Sequence, residues 1–261
     1  MPHDLVITNG TIVSPELGTF DADLGIEDES IATISRAGSL GGTREIDATD
    51  KYVMPGVIDP HTHHGGARDL ADDAESESRS GLVGGVTTTG NIYRNGQPYT
   101  EIIDDLFEQC EPNYYHDYFF TFSPLSTAHI DEIPELVEEY GIASFKWYQR
   151  FKHSAAAEFG VDRDMRDDYA DDLVQKLAEQ PGSPTLACHA ENTEITAARS
   201  ERITDAEKSE YESLLRAFPD YAETQGFVSG ANLAKVHDYD HAFYAVHLSA
   251  ASTANELARL R

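Results

Sequence analysis

The chain has few positively charged residues: 19 lysines and arginines stand against 47 aspartates and glutamates, giving a formal net charge of −28 at pH 7. This balance argues against nucleic acid or an anionic membrane surface as a partner, because both would be repelled. The acidic residues are dispersed along the chain and are not gathered in a terminal tail. Dispersed acid with few lysines is typical of proteins kept soluble in concentrated salt, where screening removes the self-repulsion. We therefore expect a halophilic cytoplasm.

Cysteine and long apolar runs are also scarce. The two cysteines, Cys110 and Cys188, cannot build a disulfide framework, which suits a reducing compartment. The first residues, MPHDLVITNG, show neither the basic stretch nor the apolar stretch of a signal peptide. No apolar run approaches the length of a transmembrane helix. The sequence thus predicts a soluble, cytoplasmic protein.

The composition is that of a folded chain: 261 residues, 40% of them hydrophobic and 10% aromatic, suffice for a sizeable core. Residues 1–53 are predicted to be all-β, with alternating polarity in DLVITNGTIVSP and a hairpin at Asn9-Gly10. Two more short strands are expected around Glu27-Asp28-Glu29. We predict a small N-terminal β-sandwich segment over residues 1–53, part of a composite domain, and a larger domain over residues 54–261.

From Tyr52 onward, β-rich runs alternate with helical patterns. The six candidate strands are Tyr52–Ile58, Val86–Ile92, Tyr118–Phe122, Ile142–Trp147, Pro184–Cys188 and Phe243–His247. The six candidate helices span residues 99–111, 131–140, 164–180, 205–217, 230–238 and 252–260. Strands and helices that alternate in this way predict a parallel α/β sheet, either doubly wound or a (β/α) TIM-type barrel. A closed barrel has eight strands, so a barrel here would be incomplete, with about six of the eight.

Histidines fall where these candidate strands end. His61 and His63 follow the first strand, and their i, i+2 spacing puts both side chains on one face. His189 ends the run TLACH, and His247 ends the run FYAVH. Because the carboxyl ends of barrel strands converge on one mouth, we expect the four imidazoles to point at a common centre. Neutral imidazoles suit zinc and its neighbours in the first transition row.

Taken singly, each histidine is more often a solvated loop residue or a hydrogen-bonded rim residue than a ligand. Their conjunction at three separately identified strand ends favours a metal site. Lys146 lies inside the apolar strand, and its ordinary interpretation is a lysine whose stem is buried and whose ammonium group reaches water. A buried lysine with a lowered pKa is instead a nucleophilic amine. Such an amine captures carbon dioxide as a carbamate, an anionic ligand able to bridge two metals.

Five short motifs follow one another along the chain: Pro55-Gly56 before Asp59-Pro60-His61-Thr62-His63, Gly84-Gly85-Val86-Thr87-Thr88, Ser144-Phe145-Lys146, His189-Ala190-Glu191-Asn192 and Val246-His247-Leu248-Ser249. Taken together they resemble the cyclic amidohydrolases of the amidohydrolase superfamily, and within them the hydantoinase/dihydropyrimidinase branch. The resemblance covers essentially the whole chain, including the N-terminal β segment. DPHTH and HAEN are fairly specific together, whereas the glycine–threonine stretch is weaker.

The resemblance implies a binuclear metal centre. His61 and His63 would bind one divalent ion, most simply zinc, and His189 and His247 the other, with carbamylated Lys146 bridging them. A hydroxide shared by the two ions would attack the ring amide carbonyl. The implied reaction is hydrolytic opening of a small cyclic amide or ureide, such as a hydantoin or dihydropyrimidine ring. The family also implies a homo-oligomer, a tetramer or a dimer.

The sequence departs from the family pattern in two places. The family has a further metal-binding aspartate, which also serves as general base, after an eighth strand, and we find no counterpart before Arg261. We therefore expect a fragment or a truncated product of a longer enzyme, inactive if it occurs as such. The family also places an oxyanion-stabilising tyrosine a few residues after the lysine. Phe151 aligns there, and Tyr148 is the nearby candidate for that catalytic role.

Three alternative functions stay open at this point. Allantoin is another cyclic ureide that such a site would accept. A dihydroorotase is disfavoured, because no arginine lies two positions after His63 to hold a substrate carboxylate. A non-catalytic paralogue used for assembly is disfavoured by the retained ligand set and favoured by the missing aspartate.

Overall fold

The computed structural model describes residues 2–204 and 210–260 and separates into two compact units, one up to Val57 and one from Ile58. The division lies just after Pro55-Gly56, a pair that interrupts regular structure. Whether the first unit belongs to a composite domain stays a prediction. Over the described ranges, no helix is both long and apolar enough to cross a membrane.

The first unit is a five-stranded sheet with a small core of Ile12, Ala22 and Leu24. Its strands, β1 to β5, are His3–Ser14, Gly18–Glu27, Ser30–Ser35, Gly42–Asp47 and Tyr52–Val53. β2 pairs antiparallel with both β1 and β3, whereas β4 and β5 run parallel to β1. The strands predicted around Glu27-Asp28-Glu29 are therefore confirmed. Asp28 and Glu29 have φ angles of 46° and 63°, the positive values that a tight hairpin turn requires.

The hairpin predicted at Asn9-Gly10 is wrong. β1 continues through both residues, and its register with β2 shifts there, as in a β-bulge. Asn9 has a φ of 59°, and its amide donates to the Asp23 carboxylate at 2.9 Å. A Cβ at position 10 would lie 2.5 Å from a methyl group of Val53, so this glycine serves close packing and not a turn. The chain turns instead after Ser14.

The second unit contains a six-stranded sheet that curls as part of a barrel. Its strands, β6 to β11, lie side by side in chain order: Val57–Thr62, Val86–Tyr93, Asp117–Phe122, Ser144–Tyr148, Thr185–His189 and Phe243–Ala245. The pairs from β7 to β11 are parallel, as predicted. The predicted strand Tyr52–Ile58 merges two strands, β5 and β6, which the break at Met54-Pro55-Gly56 separates.

Helices connect these strands. They are, from α1 to α10, Leu70–Val83, Ile103–Cys110, Thr127–Asp131, Ile133–Glu138, Ala155–Phe159, Asp167–Ala178, Thr193–Ser200, Tyr211–Ala217, Asp220–Val236 and Ala251–Leu260. Each of the six predicted helices overlaps an observed one, although residues 205–209 of the predicted helix 205–217 lie outside the described residues. Helix α1 was not predicted, because LADDAESESRSGLV has no continuous apolar stripe. Asp69 caps it by accepting a hydrogen bond from the Ala71 amide.

Strand β9 passes through the main core of the second unit. Phe145, Lys146, Trp147 and Tyr148 are all buried, because helices and neighbouring strands cover both faces of the strand. Strand alternation puts Lys146 and Tyr148 on one face and the two apolar side chains on the other. The fold therefore buries an amine and a phenol side by side.

Candidate metal centre

The structure brings together the four histidines that the sequence singled out. His61 lies in β6, His63 directly follows it, His189 ends β10, and His247 lies two residues after β11. Ring centroids are 5.3 Å apart for His61 and His63, 5.3 Å for His61 and His247, and 4.7 Å for His189 and His247. β6 and β11 are the two end strands of the sheet, so the curl of the sheet makes the contact between His61 and His247.

These contacts join the four imidazoles in series and do not surround one point. Among the described residues, no three His, Cys, Asp or Glu side chains already form a group that could hold a metal ion. The chemistry of the donor set nevertheless fits a divalent metal, because the imidazoles lie near a buried amine that has no hydrogen-bond partner among the described residues.

The imidazoles of His61, His63 and His247 are held in the neutral form that metal binding requires. Burial, helped by the neighbouring Lys146 and by the other imidazoles, lowers the pKa of His61 and of His247 to about 4. Burial and the guanidinium of Arg94 also lower the pKa of His63 below its usual value. Near neutral pH these rings therefore carry a free lone pair and no charge.

Two of the imidazoles are oriented by hydrogen bonds on one ring nitrogen. His63 Nδ1 lies 3.3 Å from the carbonyl oxygen of Ile92, which leaves Nε2 as the lone-pair nitrogen. His189 Nε2 lies 3.1 Å from a carboxylate oxygen of Glu191. Burial acts to raise the pKa of Glu191, but hydrogen bonds from His189 and Thr196 outweigh it and hold that pKa below its usual value. Glu191 therefore orients His189.

Lys146 is the least usual residue of the centre. Its side chain is 0% exposed, and its Nζ has no hydrogen-bond partner among the described residues. Burial, together with the charge of Arg94, lowers its pKa to about 8. The ordinary interpretation, an ammonium group that reaches water, is therefore wrong. An amine with this pKa is partly neutral near pH 7 and is nucleophilic in that form.

Tyr148 lies between the amine and the histidines. Lys146 Nζ lies 5.0 Å from its ring centroid, and the His189 ring lies 5.9 Å away. The pairing of Tyr148 with His189 in the β9–β10 ladder explains this proximity. Its hydroxyl is buried without a hydrogen bond of normal geometry, even to the nearby Ser123. Burial raises the pKa of Tyr148 to about 12, so the hydroxyl keeps its proton and is a free donor.

Comparison with known proteins agrees with this picture, although no protein-family model matches the chain. The chain is 29% identical over 265 residues to a D-hydantoinase of Geobacillus stearothermophilus, covering 98% of this chain and 53% of that protein. It is 28% identical over 271 residues to an allantoinase of Escherichia coli O1:K1 / APEC, covering 100% and 56%. A solved D-hydantoinase structure superposes with a TM-score of 0.81 at 27% identity, covering 98% and 55%.

The chain is homologous to the cyclic amidohydrolases of the amidohydrolase superfamily. Its homologues are hydrolases that act on cyclic amides, and the TIM-type barrel predicted from the sequence is confirmed as a half-barrel of six strands. The chain spans about half the length of the curated relatives that it matches.

Sequence reasoning missed Arg94 at this cyclic amidohydrolase-like site. Arg94 directly follows β7, and its guanidinium carbon lies 5.2 Å from the ring centroid of Tyr148. The rule that found the histidines, a chemically active residue at a strand's carboxyl end, applies equally to this arginine. His129 lies outside the group of four histidines and is buried, with Nε2 2.7 Å from the carbonyl oxygen of Gln97.

Proposed function

We propose that this protein hydrolyses a cyclic amide, such as a hydantoin or dihydropyrimidine ring, with a pair of divalent metal ions. One observation carries the proposal: four imidazoles from the ends of three strands gather beside a fully buried amine that lacks a hydrogen bond. Such an amine is costly to keep in a fold unless a ligand or a modification uses it. Homology to hydantoinase along 98% of the chain supports the same reaction class.

In this proposal His61 and His63 hold one zinc ion, and His189 and His247 hold the other. Lys146 would be the further ligand, as a carbamate that its neutral amine would form by adding to carbon dioxide and releasing a proton. When bound, the metal pair supplies an activated water molecule and polarises the ring carbonyl. The lowered pKa values of His61 and His247 keep these rings available as ligands down to mildly acidic pH.

The remaining chemistry falls to residues around the centre. Hydrolysis breaks the ring C–N bond, forms a C–O bond from water and delivers a proton to the leaving nitrogen. Tyr148 is a suitable donor to the carbonyl oxygen as negative charge develops there, because its buried hydroxyl is protonated and makes no hydrogen bond of normal geometry with the described residues. Phe151, which aligns with the family's tyrosine, has no hydroxyl and cannot fill this role.

Allantoin is the second candidate substrate. It is supported by the match to an E. coli allantoinase along 100% of the chain at 28% identity, close to the match to hydantoinase. Allantoin and hydantoins are both small cyclic ureides, so the same proposed metal-binding residues would serve either substrate.

The test is a ring-opening assay of the full chain in about 2 M KCl with 5-monosubstituted hydantoins, dihydrouracil and allantoin, followed by chromatography of the opened products. Because the four histidines and the buried Lys146 amine are all retained, we expect turnover of at least one ring, in place of the inactivity that the missing aspartate suggested, and its loss in His61→Ala. The exposed His241→Ala is the matched control and should retain activity. Absence of turnover with all the rings would contradict the proposed function.

The setting proposed for this enzyme is a salt-rich cytoplasm, and the assembly is a homotetramer or a homodimer. The net charge of −28, carried by dispersed carboxylates, supports the first part. Thermal melts should shift upward as KCl rises from low millimolar to molar concentration, because salt screens the repulsion among carboxylates. A melting temperature that does not change with salt would contradict the halophilic part. Light scattering coupled to size-exclusion chromatography gives the assembly state.

A further inference from the structure

Arg94 lies beside the candidate metal centre without an acidic partner. Its guanidinium carbon lies 5.2 Å from the ring centroid of Tyr148 and 5.9 Å from that of Phe151. Its side chain is half-buried, and it makes no ion pair or hydrogen bond with any residue in the ranges 2–204 and 210–260. In a chain with 47 acidic residues, an unpaired and half-buried cation at such a place has a physical cost.

Arg163 shows what a structural arginine of this chain looks like. Its guanidinium carbon also lies 5.2 Å from a tyrosine ring centroid, that of Tyr169. Arg163 in addition donates to Asp172 at 2.9 Å and to Asp168 at 2.8 Å. The aromatic contact is thus the same at both arginines, and the difference is that Arg94 keeps its N–H groups free for a ligand.

A cavity of about 230 Å³ connects Arg94 to the histidines. Both His63 and Arg94 line it, together with Phe159 and the exposed Glu158. A small ligand held by Arg94 in this cavity therefore lies next to the first of the proposed metal-binding pairs. Glu158 makes no ion pair with Arg94 within the described part of the chain, so it does not neutralise the guanidinium.

The geometry points to a substrate that carries a carboxylate, bound by Arg94 while its cyclic amide lies at the histidines. A guanidinium offers its N–H groups as a planar fork that matches the two oxygens of a carboxylate. The net charge of −28 repels anions at long range, so an acidic substrate needs a local cation of this kind. The sequence has no arginine two positions after His63. Arg94, which directly follows the next strand, β7, supplies a guanidinium in its place. This inference rests on the proposed function for the ring chemistry.

The test compares two ligands of nearly equal shape, hydantoin-5-acetate and the neutral hydantoin-5-acetamide. Binding of each to the full chain is measured by isothermal titration calorimetry. We expect the acetate to bind roughly tenfold more tightly than the acetamide, the size of effect typical of a charge-assisted bidentate pair. Arg94→Gln should remove this preference by weakening the acetate alone, Arg94→Lys should keep part of it, and Glu158→Gln should increase it. Arg79→Gln, an exposed change of equal charge on α1, should leave it unaltered.

Three results would overturn the inference. They are wild-type protein that binds the two ligands equally or binds neither, an Arg94→Gln variant that weakens both ligands equally, and a preference for the acetate that Arg94→Gln leaves unchanged. Turnover of both ligands, followed in parallel, tests the proposed function separately. Ring opening without discrimination would leave that function standing and the role of Arg94 refuted. Tighter binding of the acetate without ring opening of either ligand would support the role of Arg94 and contradict the proposed function.

Discussion

Each unit of the molecule buries one charged group completely, and the two groups are treated in opposite ways. Asp23 in the first unit and Lys146 in the second are both 0% exposed. The Asp23 carboxylate accepts hydrogen bonds from the amides of Asn9, Ser39 and Leu40 at 2.9, 2.9 and 3.2 Å. Lys146 Nζ has no such bond among the described residues.

The pKa directions follow from this difference. Burial acts to raise the pKa of Asp23, but the backbone hydrogen bonds outweigh it, and its pKa lies below the usual value. Burial of Lys146 is not compensated and lowers its pKa to about 8. A buried charge that accepts hydrogen bonds, like the Asp23 carboxylate, stabilises the fold. An unsatisfied one costs stability and indicates a function, for which we propose metal binding.

The largest expected effect comes from removing the satisfied charge. Asp23→Ala leaves three buried amides without an acceptor, and we expect the free energy of unfolding of the first unit to fall by about 3 kcal/mol. Hydrogen exchange of peptides from β1 and β2 measures this unit by itself. The exposed Asp21→Ala is the control and should change exchange little. Equal exchange in both variants would show that the carboxylate is not structural.

The second expected effect is an increase in the free energy of unfolding, whereas Asp23→Ala lowers it. Lys146→Met replaces a buried, unpaired amine by an apolar chain of similar length, and metal-free protein should become more stable by about 1–2 kcal/mol. Urea unfolding after dialysis against a chelator measures it, with the exposed Lys235→Met as the control. A destabilisation by Lys146→Met would mean that the amine has a structural partner, and the contrast with Asp23 would fail.

A third effect concerns the partly buried His61 and the exposed His247, whose rings have lowered pKa values. Solvent screening reduces the share of the effect that comes from His247. The folded-state pKa of His61 and of His247 is about 4, below the unfolded value near 6.5. Between these values the unfolded chain binds more protons, so the free energy of unfolding falls as pH drops from 6.5 towards 4. A full proton difference corresponds to about 1.4 kcal/mol per pH unit.

Urea unfolding of metal-free protein at pH 7.5 and at pH 5.0 measures this slope. His61→Gln should make it shallower, whereas the exposed His241→Gln should leave it as in wild type. The same slope in wild type and in both variants would show that the His61 ring is not held neutral by the fold.

The smallest expected change in the free energy of unfolding is that of Tyr148→Phe, which contrasts with another buried tyrosine, Tyr99. The Tyr148 hydroxyl has no hydrogen bond, so Tyr148→Phe should change the free energy of unfolding by less than about 0.5 kcal/mol while reducing turnover roughly 100-fold. The Tyr99 hydroxyl donates to the Ser123 carbonyl at 2.7 Å, so Tyr99→Phe should cost about 1–2 kcal/mol. Equal stability losses in the two variants would contradict the distinction.

The strands and the positions of the histidines at their ends were readable from the sequence because they depend on local patterns. Short apolar runs ending in His189 and near His247 indicate parallel strands, and topology then brings their carboxyl ends together. The turn at Asn9-Gly10 was misread, because the reason for Gly10 is the approach of Val53, a residue distant in sequence. A dipeptide pattern cannot show such a packing constraint.

The state of the buried groups was not readable from the sequence. Whether the Lys146 amine reaches water depends on every element packed around β9, and the sequence alone favoured the solvated form. The position of Arg94 at a strand's carboxyl end was readable by the rule that found the histidines, but its lack of an acidic partner among the described residues was not. Absence of a partner is a property of the folded chain and has no sequence pattern.

Metal content tests the central claim most directly. The full chain, incubated with zinc and ¹³C-labelled bicarbonate and then desalted, is measured by mass spectrometry for metal and by NMR for a carbamate carbon. If the buried Lys146 amine serves a binuclear centre, about two zinc ions per chain are retained with a carbamate signal. Lys146→Ala then loses both, while Lys235→Ala keeps both. A wild-type chain that retains no zinc, or a Lys146→Ala variant that retains as much as wild type, would contradict the claim.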